Sequence, residues 1–253
     1  MTMDTSLVPK VLRDIWISPV WKGGPKIDPK EYRPIENSSH LIKTLERVIR
    51  RQIVSFLEEN EDFGNDQHGS HSDRSTLTQL MFQYMKVLDN LSEGLNQDVI
   101  YVDFSKVYNI VDHSCLLKKL ANHGFAGPLL SWSRSFLEGC DQCVRIGKSL
   151  SDPVWVKSGV SQGLVMGPIY FLIYISDMGL DMSHDGDLLK YVDDAKAFGP
   201  SNDIETFQNN LQSVYDWAPL NSMMWNETKY DLLRFGSNYQ IKNDTLLFTS
   251  NYE

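Results

Sequence analysis

Apolar residues along the chain recur with two different periods, and these periods divide it into helices and strands. Spacings of three and four residues predict helices, whereas short runs rich in β-branched and aromatic residues predict strands. Helices are predicted at residues 41–59, 75–91, 112–123, 128–137, 168–178 and 203–218. Strands are predicted at residues 15–21, 98–104, 142–146, 154–160 and 232–235, with a hairpin centred on residues 193–194. Helices mixed irregularly with hairpins favour an α+β fold over a regular series of β-α-β units.

Several helix ends and faces can also be predicted from the residues. Ser38 or Ser39 can cap the helix at 41–59, Asp112 and Asp203 can cap two later ones, and Gly124 can close the helix that begins at Asp112. In the first helix, the apolar positions that fall near one face are Leu41, Leu45, Val48, Ile49, Ile53, Phe56 and Leu57. In the second, the helical period runs through Leu77, Leu80, Met81, Tyr84, Met85 and Leu88. In the helix after Asp203, the positions expected to face inward are Ile204, Phe207, Leu211, Val214 and Tyr215. Residues 22–34 and 64–74 are predicted loops.

Composition narrows the class of protein. The 253 residues are 42% hydrophobic, which is enough for a sizeable core. The net charge of −9 argues against a surface devoted wholly to nucleic acid, although residues 1–60 are slightly basic. Three cysteines predict neither a disulfide framework nor a zinc site, because Cys140 and Cys143 have no second pair of ligands nearby. The absence of a secretory signal and of a long apolar run predicts an intracellular protein, nuclear or cytoplasmic, with no membrane partner.

The most informative residues are Asp193 and Asp194, which lie between two runs that resemble strands. Adjacent carboxylates repel one another, and partial burial raises that cost, which a divalent cation would relieve. An ordinary acidic turn is the alternative interpretation. Asp103 ends another predicted strand, 90 residues before Asp193. We expect the three carboxylates to form one pocket for two cations, whereas Asp103 taken alone could be a polar residue at a strand end.

Five sequence motifs favour the metal pocket over an ordinary acidic turn or a polar residue at a strand end. They are YRPI at 32–35, the stretch DVIYVDF at 98–104, SGVSQG at 158–163, YVDD at 191–194 and the stretch from WAPL to RFG at 217–236. On these motifs the chain resembles the reverse transcriptase domain of non-LTR (LINE-type) retrotransposons, from about residue 16 to 236. The resemblance implies a right-hand polymerase palm, an antiparallel sheet backed by helices, with interleaved fingers. Fingers are expected at about 16–95 and in part of 125–160, between a weakly patterned N-terminus at 1–15 and a truncated tail at 237–253 that leaves no room for a thumb.

The resemblance also implies roles for the acidic residues. Asp103 and Asp193 would ligate two Mg²⁺ ions, with Mn²⁺ as a substitute, and Asp194 would lie beside them. Lys229 matches the palm lysine that protonates the leaving pyrophosphate. The implied partners are an RNA template, a DNA primer and deoxynucleoside triphosphates.

A second set of residues would bind the incoming nucleotide. Arg33 would pair with triphosphate oxygens, and the backbone of Phe104 would lie near them. Tyr108 would block a ribose 2′-hydroxyl, Gln162 would touch the nucleotide, and Gly163 would allow close backbone approach. For Arg33 and Lys229, a solvated surface position is the alternative.

Departures from the family pattern leave the activity open. The differences that matter most are the tripeptides Val107-Tyr108-Asn109 and Gly69-Ser70-His71, and Ser161 before Gln162. Two more are Pro219 in the closing helix and Ser222, where the family usually has glycine. They allow a second hypothesis, a catalytically weak or inactive palm-and-fingers remnant with a binding or assembly role. A third hypothesis is an RNA-binding accessory module, which would need a basic, aromatic-rich face.

Overall fold

The computed structural model describes residues 6–60, 62–70, 73–105, 107–182, 188–200 and 203–236, without the side chains of Val11 and Glu227. In chain order the elements are α1 (Lys10–Arg13), β1 (Ile15–Trp21), β2 (Tyr32–Asn37), α2 (His40–Glu59), α3 (Thr76–Ser92), β3 (Gln97–Val102), α4 (Val107–Ile110), α5 (His113–Asn122), α6 (Gly127–Leu137), β4 (Asp141–Ile146), β5 (Ser149–Leu150), β6 (Val154–Trp155), α7 (Gly167–Tyr174), β7 (Leu188–Tyr191), β8 (Asp194–Pro200), α8 (Ile204–Leu220) and β9 (Asp231–Phe235). The chain forms two compact units, the first from Met1–Asp62 and Tyr108–Tyr174, the second from Phe63–Val107 and Ile175–Glu253. The predicted tail at 237–253 and His71 lie outside the described residues.

The second unit is built on an antiparallel sheet with strand order β7-β8-β3-β9. Val99 of β3 lies opposite Phe198 of β8, and both pack with Val87 of α3. Gly199, the next residue of β8, makes room for the ring of Phe207 from α8. Because neighbouring strand residues leave the sheet on opposite faces, α3 and α8 cover different faces. The expected antiparallel sheet backed by helices is therefore confirmed.

The first unit contains a five-stranded mixed sheet and a helical layer. Its strand order is β2-β1-β4-β5, with β6 also paired to β4, and only the β1–β4 pairing is parallel. The helical layer includes α7, whose side chains from Ile169 to Tyr174 are all buried. Leu116 and Leu120 of α5 are buried as well, and α5 packs on α7.

Strand β2 was missed, because residues 22–34 were expected to be a loop. It begins at Tyr32 and contains Pro34, which lies opposite Pro19 of β1. In an antiparallel ladder, hydrogen-bonded and non-hydrogen-bonded residue pairs alternate. Lys22 N donates to Glu31 O, so this pair is hydrogen-bonded, and three pairs further on Pro19 and Pro34 form a non-hydrogen-bonded pair. Two residues without an N–H are tolerated there, which is why a proline did not exclude a strand.

Two predicted elements are shorter than expected. The strand at 154–160 ends at Trp155, because the N–H groups of Gly159 and Val160 donate to the carbonyls of Val111 and Tyr108 instead of a strand partner. The helix at 168–178 ends at Tyr174 and is followed by turns.

Helix α8 runs past Pro219, although the sequence predicted that it would end before this residue. A proline cannot donate to the carbonyl four residues earlier, which here belongs to Tyr215. That carbonyl instead accepts a hydrogen bond from the indole Nε1 of Trp225 at 3.0 Å. The side chain from outside the helix replaces the missing bond, and the helix continues to Leu220.

The apolar stripe of α2 coincides with its buried face only at Ile49, Ile53 and Leu57, and the stripe of α3 does not coincide with its buried face at all. The apolar residues of the α3 stripe are exposed, and its buried face carries Gln79, Gln83 and Val87. In α2 the buried residues are Ile42, Glu46, Ile49, Ile53 and Leu57, whereas Leu41, Val48 and Phe56 are exposed. In α8 the expected burial of Phe207, Leu211 and Val214 is found, but Ile204 is exposed.

Candidate functional site

Two of the predicted acidic positions are brought together by strand pairing. β3 and β8 pair antiparallel, with Val102 opposite Ala195. Continuing this register one residue beyond its last pair places Asp103 opposite Asp194, and both residues line the same cavity. Directly opposed residues of antiparallel strands have Cβ atoms about 4.5–5.5 Å apart. The sheet thus joins carboxylates that are 91 positions apart along the chain.

Asp193 lies in the tight turn between β7 and β8. Tyr191 pairs with Asp194, which leaves Val192 and Asp193 as the two turn residues. Val192 has φ +57°, a left-handed conformation that is rare for a β-branched residue. Backbone strain of this kind persists only where the surrounding structure holds it, and it is frequent at functional sites.

Lys229 reaches the same end of the sheet through a bulge beside β3. Asn226 N donates to the carbonyl of Asp103, and β9 begins its pairing with Asp231 opposite Tyr101. The intervening residues form a single 3₁₀ turn from Glu227 to Lys229. The turn carries the Lys229 ammonium to 2.6 Å from Oδ2 of Asp103.

The charges at this end of the sheet are unbalanced. Burial raises the pKa of Asp193, and the neighbouring charges of Asp194 and Asp103 raise it further. The hydrogen bond and charge of Asp103 raise the pKa of the exposed Lys229 ammonium, which therefore stays protonated at neutral pH. Among the described residues, Lys229 opposes this repulsion only in part, and a further cation would be favourable here.

The donor chemistry suits a hard divalent cation, since carboxylate oxygens are the preferred ligands of Mg²⁺. Within the described residues, however, no group of three or more His, Cys, Asp or Glu side chains is arranged to hold a metal ion. The ion pair with Lys229 occupies one oxygen, Oδ2, of the candidate ligand Asp103. The metal site at Asp103, Asp193 and Asp194 stays a prediction.

A cavity of about 420 Å³ opens beside these residues in the second unit. Its charged lining consists of Asp103, Asp194, Lys196, Lys229 and Asp231. Lys196 was not anticipated from the sequence, although it stands out as a lysine between Ala195 and Ala197 in a buried strand. Its ammonium donates to Oε1 of both Gln79 and Gln83, and burial lowers its pKa. This lysine explains why α3 turns two glutamines toward the sheet.

Phe104 has a structural role in the second unit. Its ring is buried and stacks on Trp225, with centroids 4.1 Å apart and planes 14° apart. The backbone of Phe104 also pairs with Trp225 in an isolated bridge. Its predicted approach to a triphosphate stays a prediction.

The remaining predicted nucleotide contacts belong to the first unit. Arg33 is exposed on β2, and the Tyr108 ring lies 5.0 Å from that of Phe171. Gln162 O accepts a hydrogen bond from Glu36 N at 2.9 Å. Gly163 has φ +122°, and a Cβ there would lie 2.5 Å from Glu36 O, so only glycine fits. Their joint assignment to one nucleotide site with the aspartates stays a prediction.

Glu46 is a further buried carboxylate that the sequence analysis missed. Its Oε2 accepts the N–H groups of Val165 and Met166, just before α7, at 2.7 and 2.9 Å. Burial raises its pKa, which the two backbone hydrogen bonds and the nearby Lys43 and Arg47 partly oppose. The signal was present in the sequence, because Glu46 interrupts the series Ile42, Ile49 and Ile53 at helical spacing.

The chain matches a known family profile and the sequences of individual RNA-directed DNA polymerases. The profile of the family described as reverse transcriptase (RNA-dependent DNA polymerase) matches residues 22–246. The chain is 27% identical over 196 residues to a probable RNA-directed DNA polymerase from transposon BS of Drosophila melanogaster, covering 75% of this chain and 22% of that protein. It is 27% identical over 214 residues to the RNA-directed DNA polymerase from mobile element jockey of Drosophila funebris, covering 81% and 23%. The chain therefore spans about a fifth of the length of these relatives.

Solved structures agree on the fold. A telomerase from Candida tropicalis, in apo form and truncated from the C-terminal domain, superimposes with a TM-score of 0.65 at 15% identity, covering 92% of this chain and 52% of that chain. A telomerase from Candida albicans, in complex with a fragment of telomeric RNA, gives 0.62 at 16% identity, covering 93% and 44%. The expectation of a right-hand polymerase fold is confirmed. Within the described residues, no helix is both long and apolar enough to cross a membrane.

Proposed function

Because the chain belongs to the reverse transcriptase (RNA-dependent DNA polymerase) family, we propose that it acts as the RNA-directed DNA polymerase domain of a non-LTR retrotransposon. The observation that carries the proposal is the register of β3 and β8. Continued one residue past Val102 and Ala195, this register brings Asp103 next to Asp194, beside the turn that contains Asp193, which supports the proposal. Acidic residues at adjacent strand ends are what two-metal nucleotidyl transfer requires.

In the proposed reaction, the 3′-hydroxyl oxygen of a DNA primer attacks the α-phosphate of a deoxynucleoside triphosphate that pairs with an RNA template. A new O–P bond forms, the bond between the α-phosphorus and the oxygen that bridges it to the β-phosphate breaks, pyrophosphate leaves, and the hydroxyl proton passes to water. Asp103 and Asp193 would hold two Mg²⁺ ions, or Mn²⁺ in their place, with Asp194 beside them. Such ions lower the pKa of the attacking hydroxyl and stabilise the leaving pyrophosphate. Because dNTPs and RNA are intracellular substrates, we expect the domain to act inside the cell.

Lys229 would supply the proton that the leaving pyrophosphate takes up. In the structure it donates to Asp103, and this contact raises its pKa. Because Lys229 donates to Oδ2, the other carboxylate oxygen of Asp103, Oδ1, would remain available to ligate an ion. Arg33, Phe104, Tyr108, Gln162 and Gly163 keep the nucleotide-binding roles that the family motifs suggest.

A primer-extension assay tests the proposal. Labelled deoxynucleotide incorporation on a primed RNA is measured for the wild type, Asp193→Ala and Asp216→Ala, an exposed aspartate on α8 of the same unit. We expect Asp193→Ala to lose at least about 100-fold in rate, because removing an ion ligand destroys the geometry of attack. Asp216→Ala should match the wild type.

Two outcomes would reject the proposal. Equal incorporation by the wild type and Asp193→Ala would mean that the carboxylate is not used. No incorporation by any of the proteins would favour the inactive remnant, and salt-sensitive RNA binding alone would favour the accessory module.

A further inference from the structure

Residues 66–69 of the second unit, called here the edge segment, lie along the free side of β7. Lys190 N donates to Asp66 O at 2.7 Å, and His68 N donates to Lys190 O at 2.8 Å. Gln67 thereby forms a parallel bridge with Lys190. The edge segment extends the sheet by one residue pair, beside the strand that leads into the Val192–Asp193 turn.

The side chain of Gln67 reaches from the edge segment to the turn itself. It is buried, and its Oε1 accepts the N–H of Val192 at 3.0 Å and the N–H of Gly69 at 2.7 Å. An amide turned the other way would present its own N–H groups to two donors, so the orientation is determined. One glutamine oxygen thus fixes a backbone amide at the tip of the hairpin.

Gly69 brings the edge segment into direct contact with the same residue. A Cβ at position 69 would lie 2.6 Å from Cγ2 of Val192 and 2.8 Å from its nitrogen. Gly69 is not one of the glycines with a positive φ, so the requirement is for space rather than for backbone conformation. The turn residue held by Gln67 is also the one with a strained φ of +57°.

The edge segment is anchored independently of Gln67. The buried Lys190 ammonium lies 2.7 Å from Oδ2 of Asp66 and donates to the carbonyls of Ile175, Ser176 and Met178. Truncating Gln67 should therefore leave the edge segment in place while releasing Val192. This separation makes the role of Gln67 testable.

We propose that Gln67 is a positioning residue: its Oε1 holds the strained Val192–Asp193 turn and so fixes the carboxylate of Asp193 for nucleotidyl transfer. The catalytic part of this inference rests on the proposed function, whereas the structural part does not. A strained turn needs outside contacts to hold one conformation. A displacement of about 1 Å at a reacting group can cost about 100-fold in rate.

The experiment compares Gln67→Met, Gln67→Glu and Gln97→Met. Methionine keeps the size of Gln67 but removes the acceptor, and glutamate keeps an acceptor oxygen. Gln97 is the matched control. It is a buried glutamine at the start of β3, at the end opposite to Asp103, and its Nε2 donates to the carbonyls of Asp98 and Gly199. The readouts are hydrogen exchange of the Val192 amide, resistance to urea, and kcat and KM for deoxynucleotide incorporation.

We expect Gln67→Met to speed exchange of the Val192 amide at least about tenfold, after correction for global stability. It should lower kcat about tenfold or more with little change in KM. Gln67→Glu should restore protection of the Val192 amide. Gln97→Met should lower urea resistance without a specific effect on Val192 or on kcat.

Unchanged Val192 exchange in Gln67→Met, or an equal effect of Gln97→Met, would overturn the inference. Normal kcat in Gln67→Met with an active wild type would overturn its catalytic part and leave the proposed function intact. An inactive wild type would instead reject the proposed function, while the exchange measurement would still test the contact.

A second route covers the case in which Gln67→Met does not fold. Gly69→Ala keeps Gln67 but pushes a methyl group against Val192, and it should also speed Val192 exchange and lower kcat. Adding Val192→Ala removes the contacting Cγ2 and should recover part of both effects. Gly69→Ala with wild-type exchange and kcat would contradict the inference.

Discussion

Asp193 is held where its charge is unfavourable. Its carboxylate is largely buried, and Asp194 and Asp103 add repulsion that Lys229 opposes only in part. A carboxylate in this position destabilises the fold when it is ionised. Such a loss of stability is common at active sites, where function requires the charge.

Asp193→Asn should therefore stabilise the protein at neutral pH. The folded pKa of Asp193 lies above the value of about 3.9 for an unfolded chain. Ionisation of Asp193 is therefore less favourable in the folded state than in the unfolded chain. The wild type loses stability as the pH rises from about 3.9 through the folded pKa. We expect a gain of about 0.5–2 kcal/mol in the free energy of unfolding at pH 7.5, measured by urea denaturation.

The gain should shrink as pH falls toward about 4, because the wild-type carboxyl then becomes neutral too. Asp216→Asn, which removes the same charge from an exposed position on α8, is the control and should change stability little. A gain for Asp193→Asn that persists undiminished in acid would contradict the electrostatic explanation.

At the scale of single residues, the sequence revealed unusual charges but not the partners that surround them. Asp103, Asp193 and Asp194 were identified because adjacent or strand-end carboxylates are unusual in apolar surroundings. Lys196 and Gln67 were not, because a lysine or glutamine acquires its role from partners far along the chain. Gln79 and Val192 supply those partners, and no local pattern reveals them.

Helix α8 shows how an element adapts to residues that do not favour it. After Asn221, the N–H groups of Ser222 and Met223 donate to the carbonyls of Pro219 and Ala218. This pattern is a Schellman motif, whose residue after the C-cap is left-handed and usually glycine. Here it is Ser222, with φ +55°.

Ser222→Gly should raise the free energy of unfolding by about 0.5–1 kcal/mol. A left-handed conformation costs a non-glycine residue about 1–2 kcal/mol, and part of the relief is offset by the greater freedom of glycine in the unfolded chain. Urea denaturation at neutral pH measures the change.

The same substitution within the helix provides the control. Ser213→Gly, in the interior of α8, should lower stability by about 0.5–1 kcal/mol, because glycine is unfavourable there. If both substitutions shifted stability in the same direction, the explanation from backbone conformation would be wrong.

At the scale of elements, positions along the chain were predicted better than faces. Periodicity located α2, α3 and α8, and Ser39, Asp112 and Asp203 cap helices as expected. The apolar period of α3 did not mark its buried face, because the buried Lys196 in β8 requires the glutamine oxygens of α3. Proline also misled: Pro34 lies where β2 needs no N–H toward β1, and Trp225 donates the hydrogen bond that Pro219 cannot.

The whole molecule is acidic, yet α2 carries a local basic patch. Arg47, Arg50 and Arg51 line a hollow with Ser55 and Glu58 on one side of this helix. Spacings of three and four residues place the three guanidinium groups together. In a protein of net charge −9, a patch of this kind has the charge that a nucleic-acid backbone requires.

If the proposed function is correct, replacing the three arginines with glutamine should weaken binding to single-stranded RNA. The slope of log affinity against log salt should fall by about 0.7 for each phosphate that the variant no longer neutralises, or by about 2 if each arginine neutralises one. Fluorescence anisotropy across a salt series measures both effects.

Lys10→Gln removes a positive charge from the same unit, where Lys10 pairs with Asp141 at 3.3 Å, and it should leave the slope unchanged. An unchanged slope in the triple variant would place the RNA elsewhere.

The sequence by itself determined the family, the order of most helices and strands and the unusual acidic residues, since motifs, periods and unusual charges are local properties. Only the tertiary structure decided what surrounds them. The register of β3 and β8 set Asp103 against Asp194, a bulge brought Lys229 to Asp103, and a glutamine from the edge segment held the strained turn. Each of these contacts joins residues far apart along the chain, and their free energy depends on geometry that exists only after folding.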